Sequence, residues 1–395
     1  MSIFDQVLDF IGQPESARFE ALALAVFRYQ FDSIAPYRRY CLERGLDPDS
    51  VASIDEIPPV STLAFKYAEL SNGAAQRVFI TSGTTLGARG RHFVPRLEVY
   101  RASAMRHFAR MLFPDRQAMR ILAMHPTADR MPESSLGQMI SWCIEEFASG
   151  PVLCAATREA VAIDESIGFL RTAQSERGPV CILATTAALA ALLAGVAATG
   201  SALQLPAGSR VMDTGGDKGQ VRPLTREGVG AGVARWLGIA PAMVVNEYGM
   251  TEMCSQLYDV TALNRPAGWT PGAPKSPALA TDAVATGAER PALLEPKSPA
   301  RRPALLARRL KLPPPWLRAI AVDPVTLRRL PEGAVGLLAF FDLANVGSVS
   351  AIVTEDFGAI EHGAVSVIRR AGGGDPRGCA LGVAEFAGAE ARRPI

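Results

Sequence analysis

Residues 81–92, Thr-Ser-Gly-Thr-Thr-Leu-Gly-Ala-Arg-Gly-Arg-His, concentrate hydroxyls, glycines and two arginines behind a short apolar run at 78–80. Glycines let successive backbone N–H groups turn toward one point, and the Ser and Thr hydroxyls add donors suited to phosphate oxygens. Arg89 and Arg91 bring charge and forked donors, and His92 stands where it can touch a phosphate. No Lys-Ser/Thr pair follows the last glycine, so the loop is not a Walker P-loop. An ordinary surface turn draws on the same residue types.

Three further stretches carry possible chemistry. Asn246-Glu247-Tyr248-Gly249-Met250-Thr251-Glu252 follows a β-branched strand end. Tyr248 can stack on a flat ring, Thr251 can donate to a phosphate oxygen, and Glu252 is a hard oxygen ligand suited to Mg2+ on a nucleotide. A helix cap by Glu252 is the plainer alternative. In Thr354-Glu355-Asp356-Phe357-Gly358, at another expected strand end, Asp356 can accept from two adjacent ribose hydroxyls or simply form an acidic turn. In Met212-Asp213-Thr214-Gly215-Gly216-Asp217-Lys218-Gly219 the paired glycines permit close approach of a planar base, or make a plain turn.

The elements that must position these stretches alternate. Strands are expected at 120–125, 151–153, 180–184, 210–212 and 242–245, with helices at 97–111, 137–147, 187–198 and 225–237. This order predicts parallel βαβ units in a layered α/β core, with ligands gathered at the C-terminal ends of the strands. Residues 1–60 read as a helical region, 61–265 as the α/β core and 266–315 as a flexible Pro/Ala-rich insertion, basic around Arg301-Arg302 and Arg308-Arg309-Leu310-Lys311. Residues 316–370 are β-rich and continue the core, and 371–395 form a short tail.

The chain has 395 residues, 48% of them hydrophobic, and a net charge of +2 from 41 basic and 39 acidic residues. That balance leaves no electrostatic footprint for nucleic acid or an anionic membrane. The cysteines Cys41, Cys143, Cys154, Cys181, Cys254 and Cys379 show no zinc spacing and suit reduced thiols in a cytoplasm. The N-terminus lacks a basic region followed by an apolar run, so no signal peptide is expected. The apolar run 180–198 approaches the length of a membrane span, but Pro179, Thr185-Thr186 and its alanine content point to a buried strand, a Thr cap and a helix.

Taken in order, T-S-G-T-T-x-G, G-G, N-E-Y-G-M-T-E and T-E-D-x-G resemble the adenylate-forming superfamily of acyl-CoA synthetases, adenylation domains and luciferases. The chain looks closer still to its acyl-protein synthetase (LuxE-type) branch. That likeness is carried by the R-G-R-H tail of the first loop, Pro132-Glu133-Ser134-Ser135-Leu136, Gly215-Gly216-Asp217-Lys218-Gly219, residues 246–259 and Asp342-Leu343-Ala344-Asn345. It covers roughly 55–385 and leaves out 266–315. The resemblance implies an α/β adenylate-forming large domain in which a carboxylate, a fatty acid by family analogy, attacks the α-phosphorus of ATP. Acyl-AMP and pyrophosphate form, and a thiol takes the acyl group. By position, Thr81, Ser82, Gly83, Thr84, Thr85, Gly87 and Arg89 would hold the outer phosphates. Gly215, Gly216, Tyr248 and Gly249 would border adenine, Thr251 would face the α-phosphate, Glu252 the Mg2+ and Asp356 the ribose. His125, Lys218 and Met250 would line the substrate pocket.

The match also departs from the superfamily, most of whose members carry a mobile C-terminal domain with a lysine that stabilises the adenylation transition state. Here 37 residues follow Gly358 and no lysine follows Lys311, so the lid is expected to be truncated or absent. Arg369, Arg370, Arg377 or Lys218 could take the lysine's part. Cys379 sits where the acyl-protein synthetases place an acyl-accepting cysteine, with Arg377 near enough in sequence to lower its pKa; a small buried hydrophobe is the alternative. The acceptor implied is a protein thiol, with a partner reductase as one candidate. CoA or a carrier-protein arm, and a nucleotide-binding homologue without turnover, remain as other readings. Neither nucleic acid nor a membrane span is expected.

Overall fold

The computed structural model describes residues 1–81, 89–215, 226–261, 263–264 and 310–370. Three helices open the chain: α1 (Ile3–Gly12), α2 (Ser16–Ser33) and α3 (Ala35–Leu42). Ser2 starts α1 with a capping box, its hydroxyl accepting from Asp5 N while the Asp5 carboxylate accepts from Ser2 N. The apolar faces of α1 and α2, including Phe10, Phe19 and Phe27, join the largest core cluster, which also holds Phe341, Leu343 and Ile352 from the far end of the sequence. Gln30 on α2 fastens this packing, donating to Asn345 O at 3.1 Å and Ser350 Oγ at 2.9 Å and accepting from Ser350 N at 3.2 Å.

The remaining strands are β1 (Val60–Ser61), β2 (Arg77–Ile80), β3 (Arg91–Val94), β4 (Met119–Met124), β5 (Ala148–Cys154), β6 (Val180–Thr185), β7 (Arg210–Thr214) and β8 (Val244–Tyr248). They are followed by β9 (Leu257–Asp259), β10 (Lys311–Leu312), β11 (Leu317–Val322), β12 (Gly336–Asp342), β13 (Ala351–Glu361) and β14 (Ala364–Arg370). Helices α4 (Leu97–Leu112), α5 (Ser135–Phe147), α6 (Ile163–Ser175), α7 (Thr186–Ala198) and α8 (Arg226–Leu237) lie between strands. The main sheet runs β11-β12-β13-β14-β10-β9-β8-β7-β6-β4-β5, with β1 added on β13. From β5 to β8 every pairing is parallel; from β8 to β11 every pairing is antiparallel. The parallel-rich α/β sheet with a β-rich C-terminal part is the architecture expected.

The apolar run near residue 180 behaves as expected. In β6 the residues 180–184 are all buried, as for a parallel strand covered on both faces, and the Thr185 hydroxyl accepts from Ala188 N to cap α7. No described helix is long and apolar enough to cross a membrane.

Other expectations change. The glycine-rich loop links β2 and β3, which pair only with each other as an antiparallel hairpin, so Arg91 and His92 are strand residues and not loop residues. Asp356 is not at a strand end. It lies inside the eleven residues of β13, next to a register shift at Phe357/Gly358, and such a bulge re-aims neighbouring side chains. Lys311, read as part of a solvated basic tract, is only 7% exposed. It donates to Asp259 Oδ1 at 2.9 Å and Asn246 Oδ1 at 2.6 Å, pinning β10 across β9 to β8 where the two halves of the sheet meet. Removing one partner of a buried pair strands the other charge. Lys311→Met is therefore expected to cost about 3–5 kcal/mol in urea unfolding, and Lys311→Met with Asp259→Leu to recover most of that loss.

Candidate functional site

Register places the expected site residues along one edge. Met124, Ala184, Asp213 and Asn246 form a row across β4, β6, β7 and β8, and Thr185, Thr214 and Glu247 form the next row toward the C-terminal ends. His125, Gly215 and Tyr248 follow on the same edge. From across the sheet Asp356 meets it: the Tyr248 hydroxyl donates to Asp356 Oδ2 at 2.8 Å. Burial, and then the Asp356 charge, push the Tyr248 phenol well above its ordinary pKa, so it stays a donor. Its ring tilts against Phe340 with centroids 6.1 Å apart.

Arg370, at the end of β14, completes this corner. Its guanidinium pairs with Glu355 Oε2 at 2.9 Å, and that bond, followed by the charges of Glu355, Asp356 and Glu252, holds its pKa above the usual value. A cation thus stands among the carboxylates of both the strand-β13 motif and the loop after β8. Arg369, the other described arginine at this end of β14, lies with its guanidinium carbon 4.3 Å from the centroid of the Phe357 ring.

The loop after β8 is held by its backbone. His92 Nδ1 donates to Thr251 O at 2.7 Å, and Asn345 Nδ2 donates to Glu252 O at 2.7 Å. Both bonds use carbonyls, and Thr251 and Glu252 are only partly buried. His92 is 1% exposed and burial drives its pKa down to about 4. It is therefore a neutral positioning group inside the protein, and the expectation that it touches phosphate fails because its ring is enclosed. Further along the loop, Asp342 accepts from Cys254 N at 3.0 Å, Ser255 Oγ at 2.6 Å and Ala344 N at 3.0 Å, while burial lifts its pKa to about 6.

The adenine-side expectation concerns Gly215 and Gly249. Gly215 adopts φ +87, in the left-handed region that favours glycine, and its carbonyl accepts from Thr186 Oγ1 at 3.1 Å. Thr186 also donates to Asp213 Oδ2 at 2.8 Å. Thr214 Oγ1 donates to the buried Glu247 carboxyl. A Cβ on Gly249 would lie 2.2 Å from Glu247 Oε1, so this glycine makes room for that carboxyl. Burial raises the Glu247 pKa to about 7, against the Thr214 hydrogen bond and the Lys311 charge.

Thr81 closes the base of the glycine-rich loop. Its amide donates to Gly90 O and its hydroxyl accepts from Gly90 N, each at 2.9 Å, while Arg89 Nε donates to Thr81 O at 2.8 Å. Ile80 N donates to Glu133 O at 2.9 Å, which ties the Pro132–Leu136 motif to the same hairpin. Ser82, Gly83, Thr84, Thr85, Gly87, Gly216, Lys218 and Cys379 lie outside the described residues. His125 is half-buried with Nδ1 on Pro126 O at 2.9 Å, and two strands, β7 and β6, lie between β4, which it follows, and the strand of Tyr248. Met250 is partly buried against the main core. Burial raises the thiol pKa of all five described cysteines, Cys41 and Cys181 to about 12, which leaves them poor nucleophiles. Cys254, considered for the pocket, is 3% exposed.

The structure therefore joins Tyr248 and Asp356 directly, sets Arg370 opposite Asp356, within the field of Glu252, and connects Gly215 and Gly249 through Thr214 and Glu247. Sequence reasoning assigned no role to Glu247, Thr186, Asn345 or Asp342. For Glu247 a signal was present, since a glycine two positions on leaves room for its carboxyl.

A family profile described as "Acyl-protein synthetase, LuxE" matches residues 4–262 and 307–387. A curated protein of Vibrio harveyi named long-chain-fatty-acid–luciferin-component ligase is 37% identical over 79 residues, which is 18% of this chain and 21% of the relative. Its namesake in Aliivibrio fischeri is 34% identical over 80 residues, with the same shares. These matches thus span about a fifth of the relatives' length. Among solved structures, a 2-hydroxyisobutyryl-CoA ligase in complex with 2-HIB-AMP and CoA aligns with a TM-score of 0.60 and 12% identity, covering 90% of this chain and 71% of the other. The same ligase in the postadenylation state aligns at 0.61 and 12%, covering 91% and 69%. Their likeness to this chain is one of fold.

The Glu247 carboxyl yields a pH-dependent test. Its folded pKa lies above the ordinary value of 4.5, so the stability linked to its proton is present below pH 4.5 and is lost as pH rises through about 7. Glu247→Gln removes that loss. In urea unfolding across this window, the variant is expected to gain stability relative to the parent as pH rises, by a total on the order of 3 kcal/mol.

Proposed function

The chain belongs to the LuxE acyl-protein synthetase family, and on that footing we propose that it activates a carboxylic acid with ATP, forming acyl-AMP and pyrophosphate, and passes the acyl group to a protein thiol. One observation carries the reading: Tyr248 donates to Asp356 across the sheet, and Arg370, opposite Asp356 on β14, feels the charges of Asp356 and Glu252.

The chemistry asked of such a corner is electrostatic. A carboxylate must approach a polyphosphate, so both anions need fixed positive partners more than they need an acid or base. Arg370 is the proposed cation on the reacting phosphate. Thr251 donates to the α-phosphate oxygen, and Asp356 accepts the ribose hydroxyls while Tyr248 holds its carboxylate in place. Gly215, Gly216 and the Tyr248 ring border adenine, and residues 81–89 hold the outer phosphates. Fixing both reactants in this way lets orientation supply much of the rate.

Mg2+ fits this site in one manner. Among the described residues no group of three or more His, Cys, Asp and Glu is arranged to hold a metal, but Mg2+ on a nucleotide is usually held by one or two carboxylates together with the phosphates. Glu252 is the proposed carboxylate. When bound, the ion would neutralise phosphate oxygens. The acid is proposed to be a fatty acid because the curated relatives are named as long-chain-fatty-acid ligases. Cys379 is the proposed first acyl acceptor, in a reduced cytoplasmic setting, with a partner protein thiol as the final one.

The test is acid-dependent exchange of pyrophosphate into ATP over an aliphatic series of acids. The parent chain is expected to exchange, and Asp356→Ala and Arg370→Gln each to lower kcat/KM by about a hundredfold or more. An acyl group labile to hydroxylamine is expected on the parent and absent from Cys379→Ala. No exchange with any acid would overturn the reading. Transfer to CoA with none to protein would overturn the choice of acceptor.

A further inference from the structure

A cavity of about 280 Å³ lies between α2, the turn at 54–59 and strands β11 to β13, close to the lower end of the roughly 300–1,000 Å³ range of small-molecule pockets. Phe19, Ile57, Ile320, Ala339 and Phe341 supply apolar wall, and Arg318 supplies a cation.

Most of the side-chain wall of this cavity lies on one face of the sheet, although Ala319 and Phe340 also border it. Paired residues of neighbouring strands share a face. Arg318, Phe341 and Ala351 pair in series, as do Ile320, Ala339 and Val353, and these lie on one face. Ala319, Phe340 and Ile352 lie on the other, where the Phe340 ring meets Tyr248.

The charges at the cavity are few. Arg329 is neutralised by Asp55 at 2.9 Å. Arg318 has its guanidinium carbon 4.1 Å from the centroid of the Phe19 ring, and no carboxylate of the described residues pairs with it. Partial burial against this apolar wall holds its pKa below the usual value. Glu20 lines the cavity too, exposed on α2, which disfavours a dianion and leaves room for a single negative charge on Arg318.

We propose that this cavity binds an aliphatic monocarboxylate, its head on Arg318 and its chain along the apolar wall, at a site separate from the ATP corner. A charge-assisted hydrogen bond to the Arg318 guanidinium, which is open to solvent at the cavity, fixes the head, and burial of the methylenes supplies the remaining affinity. A fatty amine lacks the head charge that Arg318 requires, and acetate lacks the chain. The binding does not depend on adenylation.

The test is photolabelling of the full chain, without ATP, by a diazirine-bearing decanoate, followed by peptide mapping. Crosslinks are expected in peptides containing Phe19 or Arg318, with decanoate competing and decylamine not. Arg318→Gln is expected to reduce this labelling about tenfold or more, and Ala351→Leu, which narrows the cavity, to reduce it as well. Arg318→Gln should leave the KM for the acid in pyrophosphate exchange unchanged. Crosslinks confined to peptides containing His125 or Tyr248 would overturn the proposal, as would unaltered labelling of Arg318→Gln or equal competition by decylamine. Loss of exchange with labelling intact would refute the adenylation reading and leave this site standing.

Discussion

One hydrogen bond, from the Tyr248 hydroxyl to the Asp356 carboxylate, closes the proposed nucleotide site. Tyr248 ends the last parallel strand, and Asp356 lies in the antiparallel half of the same sheet. The two residues meet only if the sheet stays continuous through β9, β10 and β14. That continuity depends in turn on the buried Lys311 ammonium, which engages Asp259 and Asn246 on the two strands next to β10. A desolvated ion pair is a weak source of net stability but penalises wrong registers strongly, because any slip leaves a charge without its partner. Its position at the junction is where register matters most.

Two buried acids near that junction, Glu247 and Asp342, are raised in pKa and hydrogen-bonded. Burial lifts Glu247 and Asp342 toward neutrality, and each is held by hydroxyl or amide donors. Of the more open carboxylates, Glu355 pairs with Arg370, and the charges of Asp356 and Glu252 also act on it. Fixed charge gathers instead at the corner where a polyphosphate would need to be met. Preorganised charge of this kind requires no rearrangement during reaction.

Much of this was legible before the fold was known. The βαβ alternation, the Thr185 cap and the order of the four motifs are local patterns, and local patterns survive in a linear reading. What escaped is tertiary. Asp356 was expected at a strand end because a β-bulge leaves no composition signal, while acids and a glycine usually mark turns. Lys311 was assigned to a solvated tract because its neighbours in sequence are basic and prolines surround it; its partners Asn246 and Asp259 lie far away along the chain. His92 was expected at a phosphate because nothing near it in sequence announces that Phe65 and the Thr251 carbonyl will enclose it. Arg370 was one of several candidates, and its register opposite Asp356 on the neighbouring strand could not be read from the sequence.

The central claim is that one nucleotide fits the corner made by Tyr248, Asp356, Glu252 and Arg370. A crystal structure of the chain with a non-hydrolysable acyl-sulfamoyl adenosine addresses it most directly. The account predicts the ribose hydroxyls on the Asp356 carboxylate, the adenine against the Tyr248 ring and the sulfamoyl group within reach of Thr251 and Arg370. An adenosine seated elsewhere, with the Tyr248–Asp356 bond facing only solvent, would contradict it.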